Sequence, residues 1–398
     1  AAKPDHWHEL QGRLTEPVVL RRGAAHYEPI SWEDAFHMVG DELKALDSPN
    51  EAIFYTSGRT VNEAAFLYQL FVRLYGTNNL PDCSNMCHES SGAALKPTIG
   101  IGKGTVSLDD FEKAEAIFIF GQNPGTNHPR MLSSLQTARR NGCRIVAVNP
   151  LKEAGLLAFA HPQEVRGLLG MATSLATQYL QVRLNGDMAL LKGMQKAILA
   201  EEDSHPGKVL DHEFIEQRTT GFKEWKATLS EVSWENIEEQ SGLSREEIEK
   251  AARTYLEADA VISCWAMGLT QHKTAVACIQ EIVNLHLLGG NLGKPGAGLC
   301  PVRGHSNVQG DRTMGIATNM PKNFLDALGK EFKFEPPRET GSDTIESIRA
   351  MRDGQAKVFF ALGGNFLSAT PDVKVVADGL RRCRLTVQVS TKLNRSHL

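Results

Sequence analysis

Apolar and polar positions fall in blocks along this chain, and the blocks change period. SWEDAFHMVGDELKAL (31–46) has apolar residues at helical spacing behind a serine cap and an acidic first turn. EAIFYTSG (51–58) is a continuous apolar run ending at glycine, which predicts a buried strand. NEAAFLYQLFVRLYG (62–76) returns to the helical period and stops at Gly76. The pattern then gives a strand over 115–121, a helix over 131–142 closed by Gly142, and a strand over 144–150. Strand, helix and strand over that length predict a βαβ unit with parallel strands and a right-handed crossover. Residues 186–257 are helical in pattern, 260–268 a strand, 274–290 a helix with a double-glycine stop, and 356–365 and 384–389 further strands. NLGKPGAGLCPVRGHSNVQGDRTMG (291–315) has many glycines and no period, so a long ordered loop is expected there. No internal repeat or low-complexity tract is present.

The alternation makes this an α/β chain with parallel sheets. Such sheets bind ligands beyond the carboxyl ends of their strands. Five strand ends carry Gly, Asn or His: TSGR, FGQNPGTNHP, VNPL, AMGLTQH and LGGN. Together they predict a large ligand touched from many loops. In IFIFGQNPGTNHPRML (117–132), Gly121 and Gly125 allow close backbone approach, Asn123, Thr126 and Asn127 add donors, and Pro129 suits a first helical turn. The next strand ends at Asn149, where a dinucleotide fold contacts ribose or base. Alone, this segment reads equally as a well-capped strand–helix turn. No strand is followed by GxGxxG with an acidic residue downstream, which argues against a nicotinamide-dependent dehydrogenase.

At 398 residues, two domains are the prior, and 41% apolar content is enough for substantial cores. The net charge of −4 gives no broad attraction to nucleic acid or an anionic membrane. No apolar run approaches the roughly 18–20 residues of a bilayer span. The seven cysteines (83, 87, 143, 264, 278, 300, 383) form no disulfide framework, which predicts a reducing compartment, the cytoplasm. The chain opens on polar AAKPDHWHELQGRLTEP and stops just after the strand LTVQV, so a fragment of a longer polypeptide is expected.

The stretch PDCSNMCHESSG (81–92) places Cys83, Cys87, His88 and Glu89 ahead of a helix start. A thiolate near a helix N-terminus has a lowered pKa and is a soft metal ligand. Cys-x3-Cys-His matches neither a zinc finger nor a usual iron–sulfur spacing. From these residues alone, both a structural loop cysteine and a ligand remain open.

DCSNMCHESSGAAL, then DFEKAEAIFIFGQNPGTNHPRM, RIVAVNP, MGLTQH and PVRGHSNVQGDRTMG, resemble the molybdopterin oxidoreductase family, in its formate-dehydrogenase-like branch that includes YdeP. The similarity runs in order from about residue 12 to the end. It implies two interleaved Rossmann-like domains with parallel sheets, of the formate dehydrogenase/DMSO reductase type. One is expected over 83–304, the other from 28–82 plus 305–398, with 1–27 an N-terminal segment following an absent iron–sulfur region. The pterin-closing C-terminal domain is expected beyond this chain.

The resemblance implies that Cys87 binds molybdenum or tungsten held by two molybdopterin guanine dinucleotides. It implies that His88 takes a proton or steadies a departing group, and that Arg303 holds a carboxylate. The implied pterin-dinucleotide contacts are Gly121, Asn123, Thr126, Asn127, Asn149, Gly268, Gln271, Gly304, Asn307, Gln309, Gly310 and Lys392. His128, His272 and His305 are read as structural loop histidines, and Cys143, Cys264, Cys278, Cys300 and Cys383 as small apolar groups.

The implied activity is two-electron, formate-like oxidation of a small molecule, with a redox partner protein. Three departures stand out. Glu89 replaces the glycine of the formate enzymes, which puts the substrate in question. A cysteine-rich segment for a [4Fe–4S] cluster is absent before residue 12. The resemblance also places the closing domain outside this stretch, so this fragment is expected to be inactive and to purify without metal or cofactor. The alternative is a non-catalytic electron-transfer or scaffold subunit that kept the fold without cofactor; the presence of Cys87 and Arg303 favours an enzyme.

Overall fold

The computed structural model describes residues 3–397. In chain order its main elements are α1 (Trp32–Lys44), β1 (Ala52–Thr56), α2 (Asn62–Tyr75), α3 (Glu89–Ile99), β2 (Ala116–Phe120), α4 (Met131–Arg140), β3 (Arg144–Val148), β4 (Gln178–Leu180), α5 (Asp187–Ser204), α6 (Arg245–Leu256), β5 (Val261–Trp265), α7 (Ala275–Leu288), β6 (Gly298–Pro301), α8 (Val308–Met314), α9 (Thr344–Arg352), β7 (Val358–Leu362), α10 (Val373–Arg382) and β8 (Leu385–Val389). Shorter helices at His212–Arg218, Phe222–Ser230 and Trp234–Ser241 fill the segment between α5 and α6. Two compact units result. One holds the described residues up to Met86 and from His305 onward, and the other is Cys87–Gly304.

The Cys87–Gly304 unit is built on a five-stranded sheet in the order β6-β5-β2-β3-β4, with every pair parallel. The chain starts at β2, moves outward through β3 and β4, then returns to β5 and β6 on the other side. That is the 3-2-1-4-5 order of a nucleotide-binding sheet, with its switch point between β2 and β5. The sequences AIFIF and VISCW are buried at every position, as strands covered on both faces must be. Phe118, Phe120, Val146 and Trp265 meet buried residues of α5, α6 and α7 on one face; Ile117, Ile119, Ile145 and Ile262 meet Leu132, Leu135 and Ala138 on the other.

The other unit has a three-stranded parallel sheet, β8-β7-β1. Ile53, Tyr55 and Phe359 pack with Ile348, Met351 and Val376 of α9 and α10, while Phe54 and Val358 pack with Leu43, Tyr68 and Val72 of α1 and α2. Among the described residues no helix is long and apolar enough to cross a membrane.

The segment 291–315 departs from the loop expected of it, because it contains β6 and α8. β6 reads GLCP, and glycine and proline have poor strand preference. It forms because β5 is there to pair with, in the register Leu299↔Ser263 and Cys300↔Cys264. β4, three residues long, is likewise set by pairing with β3 and was not visible in the pattern.

Candidate cofactor site

The first turn of α3 lies against the loop that follows β5. Thr270 Oγ1 donates to the Cys87 carbonyl at 2.6 Å, and Ser90 Oγ donates to the Thr270 carbonyl at 3.2 Å. These bonds run in opposite directions between the same two segments and fix the turn that carries Cys87. Cys87 is partly exposed. His88 precedes α3 and makes no side-chain cap bond. Its ring is turned inward and 2% exposed.

Both imidazole nitrogens of His88 are engaged. Nε2 lies 3.0 Å from the Val302 carbonyl and Nδ1 2.9 Å from Ser91 Oγ. Ser91 Oγ also accepts the indole N–H of Trp265 at 2.9 Å. Burial lowers the His88 pKa to about 4, helped by the nearby Arg303 and His128 charges and opposed by the bond to Val302. Val302 is held on its other side too, because its N–H donates to the Trp265 carbonyl at 2.8 Å. Arg303 follows directly, with Nη2 donating to the Gly102 carbonyl at 3.2 Å.

The loops after β2 and β5 touch at the switch point. The Gly268 N–H donates to the Gly121 carbonyl at 3.0 Å. Gly121 has φ +53°, and a Cβ there would lie 2.8 Å from the Gly268 backbone. Downstream, Asn123 Oδ1 accepts the Thr126 N–H at 3.1 Å, capping the short turn Pro124–Asn127. Its amide donates to Glu153 Oε2 at 2.6 Å. Asn123, Gly125, Thr126, Glu153, Ala154 and Gly155 line a cleft of about 400 Å³. Asn149 is buried, donating to the Gln122 carbonyl and accepting from the Leu151 N–H, both at 3.3 Å. Thr126, Asn127, Gly268, Gln271 and Gly304 are exposed. Gln122 Oε1 is a buried polar atom without a protein partner.

Cys87, His88, Arg303, Gly121, Asn123, Thr126, Asn127, Asn149, Gly268, Gln271 and Gly304 thus all belong to the Cys87–Gly304 unit. They sit on the segments that follow its strands or on the start of α3. Asn307, Gln309, Gly310 and Lys392 belong to the three-stranded unit. There the Asn307 amide donates to the Thr60 carbonyl at 2.6 Å and to Asn62 Oδ1 at 2.9 Å. A Cβ on Gly310 would strike Asn307 Oδ1. Gln309 is exposed, and Lys392 Nζ lies 3.6 Å from Glu9. Thr270, Ser91, Trp265 and Glu153, which sequence reasoning did not single out, hold the predicted residues in place. The one local signal was a serine three residues after His88 at a helix start.

Among the described residues no group of three or more His, Cys, Asp and Glu could hold a metal ion. A metal at Cys87 would therefore need ligands supplied by a cofactor. A partly exposed cysteine, close-packed glycine turns and the orphaned Gln122 oxygen suit such a group.

A molybdopterin oxidoreductase family profile matches residues 13–395. The chain belongs to that family. It is 56% identical to an uncharacterized oxidoreductase of Mycobacterium tuberculosis, over all of this chain and 51% of that protein. Protein YdeP of Escherichia coli K12 is 49% identical over 99% of this chain and 53% of its own. Formate dehydrogenase H of the same organism is 29% identical over 95% and 52%. The chain spans about half the length of these relatives. Acetylene hydratase from Pelobacter acetylenicus superposes with a TM-score of 0.71 over 96% of this chain and 53% of that one, at 20% identity, and so shares the fold.

Proposed function

We propose that the chain is the catalytic core of an oxidoreductase using molybdenum or tungsten bis(molybdopterin guanine dinucleotide), acting on a small carboxylate of formate type. The carrying observation is that the turn bearing Cys87 is clamped by Thr270 at the sheet edge where the Gly121 and Gly268 loops meet. The sequence similarity to formate dehydrogenase H supports the substrate class.

When bound, the metal–pterin group supplies a two-electron acceptor. Cys87, at the start of α3, is the proposed thiolate ligand. Arg303 orients the carboxylate through its planar fork. Gly121 and Gly268 let the dinucleotide approach the backbone, while Asn123, Thr126, Asn127, Asn149, Gln271 and Gly304 offer polar contacts. Asn307, Gln309, Gly310 and Lys392 are the proposed pterin contacts of the three-stranded unit.

The test is metal and pterin analysis of the full-length protein, made in cells competent for cofactor synthesis. About one molybdenum or tungsten per chain and a metal–sulfur signature lost in Cys87→Ser are expected. A metal-free wild-type product would instead favour a non-catalytic subunit.

A further inference from the structure

We infer that His88 is a positioning residue, which ties the exit of β6 and thus Arg303 to α3 and β5. The inference rests on the site reading above for the meaning of Arg303, but not for its geometry.

The hydrogen bonds have one consistent polarity. A carbonyl only accepts, so His88 Nε2 carries the hydrogen that meets Val302, 3.0 Å away. An indole N–H only donates, so Ser91 Oγ accepts from Trp265 at 2.9 Å. The Ser91 hydroxyl hydrogen then points to His88 Nδ1, also 2.9 Å away. The relay Trp265–Ser91–His88–Val302 commits both ring nitrogens to partners inside the protein. An imidazole so committed is placed to hold a backbone.

What it holds is Val302. The Val302 N–H is bonded to the Trp265 carbonyl at 2.8 Å, and its carbonyl is bonded to His88. The peptide leading into Arg303 is thereby fixed at Val302 from two elements, and the guanidinium is steadied further on by the Gly102 carbonyl. Removing His88 would free the Val302 carbonyl and loosen the peptide leading into Arg303.

The experiment uses amide hydrogen exchange of the full-length protein over residues 302–304. It needs neither substrate nor cofactor, so it stands whether or not the metal reading holds. His88→Ala and Ser91→Ala should raise exchange there by about tenfold, the equilibrium equivalent of one lost hydrogen bond. His88→Gln has an amide N–H within reach of Val302 and no basic nitrogen, and should restore exchange to within about threefold of wild type. Nitrogen-15 spectra should show the Nε2–H tautomer for His88. Unchanged exchange in both alanine variants, failure of glutamine to rescue, or an Nδ1–H tautomer would each overturn the inference. Ser91→Ala keeps the test decisive if His88→Ala does not fold.

Discussion

Gly268 and Gly121 meet backbone to backbone across the switch point of the five-stranded sheet. The amide of one donates to the carbonyl of the other at 3.0 Å, and a Cβ on Gly268 would stand 2.4 Å from that oxygen. The obstacle is backbone, so no side chain can fold away. Gly268→Ala should therefore cost about 1–3 kcal/mol, as overpacking does. Gly304→Ala is the control, because a Cβ there meets nothing within 4 Å. It should shift stability by less than about 0.5 kcal/mol. Thermal unfolding of both variants decides the matter. Equal midpoints would mean that the two loops do not pack as described.

Glu202 provides a prediction about acid. Its carboxylate accepts the backbone N–H groups of Gly207, Val209 and Leu210 at 2.6, 3.0 and 3.1 Å and meets His212 Nε2 at 2.8 Å. Burial alone would raise its pKa, but these donors together hold it down at about 2, below the ordinary 4.5. The folded state thus binds fewer protons than the unfolded one. The stabilisation is full above about pH 4.5 and is lost as pH falls toward 2. Glu202→Gln should cost about 1.5–3 kcal/mol at pH 7, the range for hydrogen bonds to a charged group. Unfolding curves for both proteins should draw together as pH falls below 4.5, and a constant gap would refute the assignment.

The parts of the fold legible from sequence were those whose burial is uniform. AIFIF and VISCW are apolar at nearly every position because helices cover both faces, and that pattern needs no partner to be recognised. β6 was invisible because its residues, including Gly298 and Pro301, owe their extended form to β5. The candidate site divides similarly. Cys87 and Arg303 stand out as candidates because they sit in distinctive motifs. Their supports do not: Ser91 is 174 residues from Trp265, and His88 is 214 residues from Val302, so no local pattern connects them. Nor could spacing show that Asn123 commits its amide to Glu153, which limits what that amide can offer a ligand.

Asp311, in the three-stranded unit, carries the opposite pH dependence. It is 1% exposed, its Oδ2 has no hydrogen-bond partner, and burial followed by the charge of Asp82 raises its pKa to about 7. Asn307 pulls weakly the other way. The folded state here binds more protons than the unfolded one. Its contribution is therefore most favourable below the ordinary value of 3.8 and is lost as pH rises to about 7. Asp311→Asn keeps the shape and removes the charge. Relative to wild type it should gain a few kcal/mol, at most about 4, between pH 4 and pH 8. Melting temperatures across that range test it, and a gain that grows toward acid would show that the carboxyl is ionised throughout.

Arg303 tests the chemistry itself. If its guanidinium orients a carboxylate, the planar fork matters as well as the charge. Lysine keeps the charge and loses the paired donors. Arg303→Lys in the metal-loaded full-length protein should therefore lower kcat/KM for a small carboxylate by about 10²-fold, near 2.7 kcal/mol, chiefly through KM. Metal content should stay at the wild-type level, since Arg303 is not the proposed ligand. An uncharged substrate of the same size separates two explanations of a loss. If the variant also loses 10²-fold toward that molecule, the defect lies in the shape of the loop that Val302 anchors. A loss confined to the carboxylate means that the guanidinium reads the substrate's charge, and only that outcome gives the bond to the Gly102 carbonyl a role in aiming it.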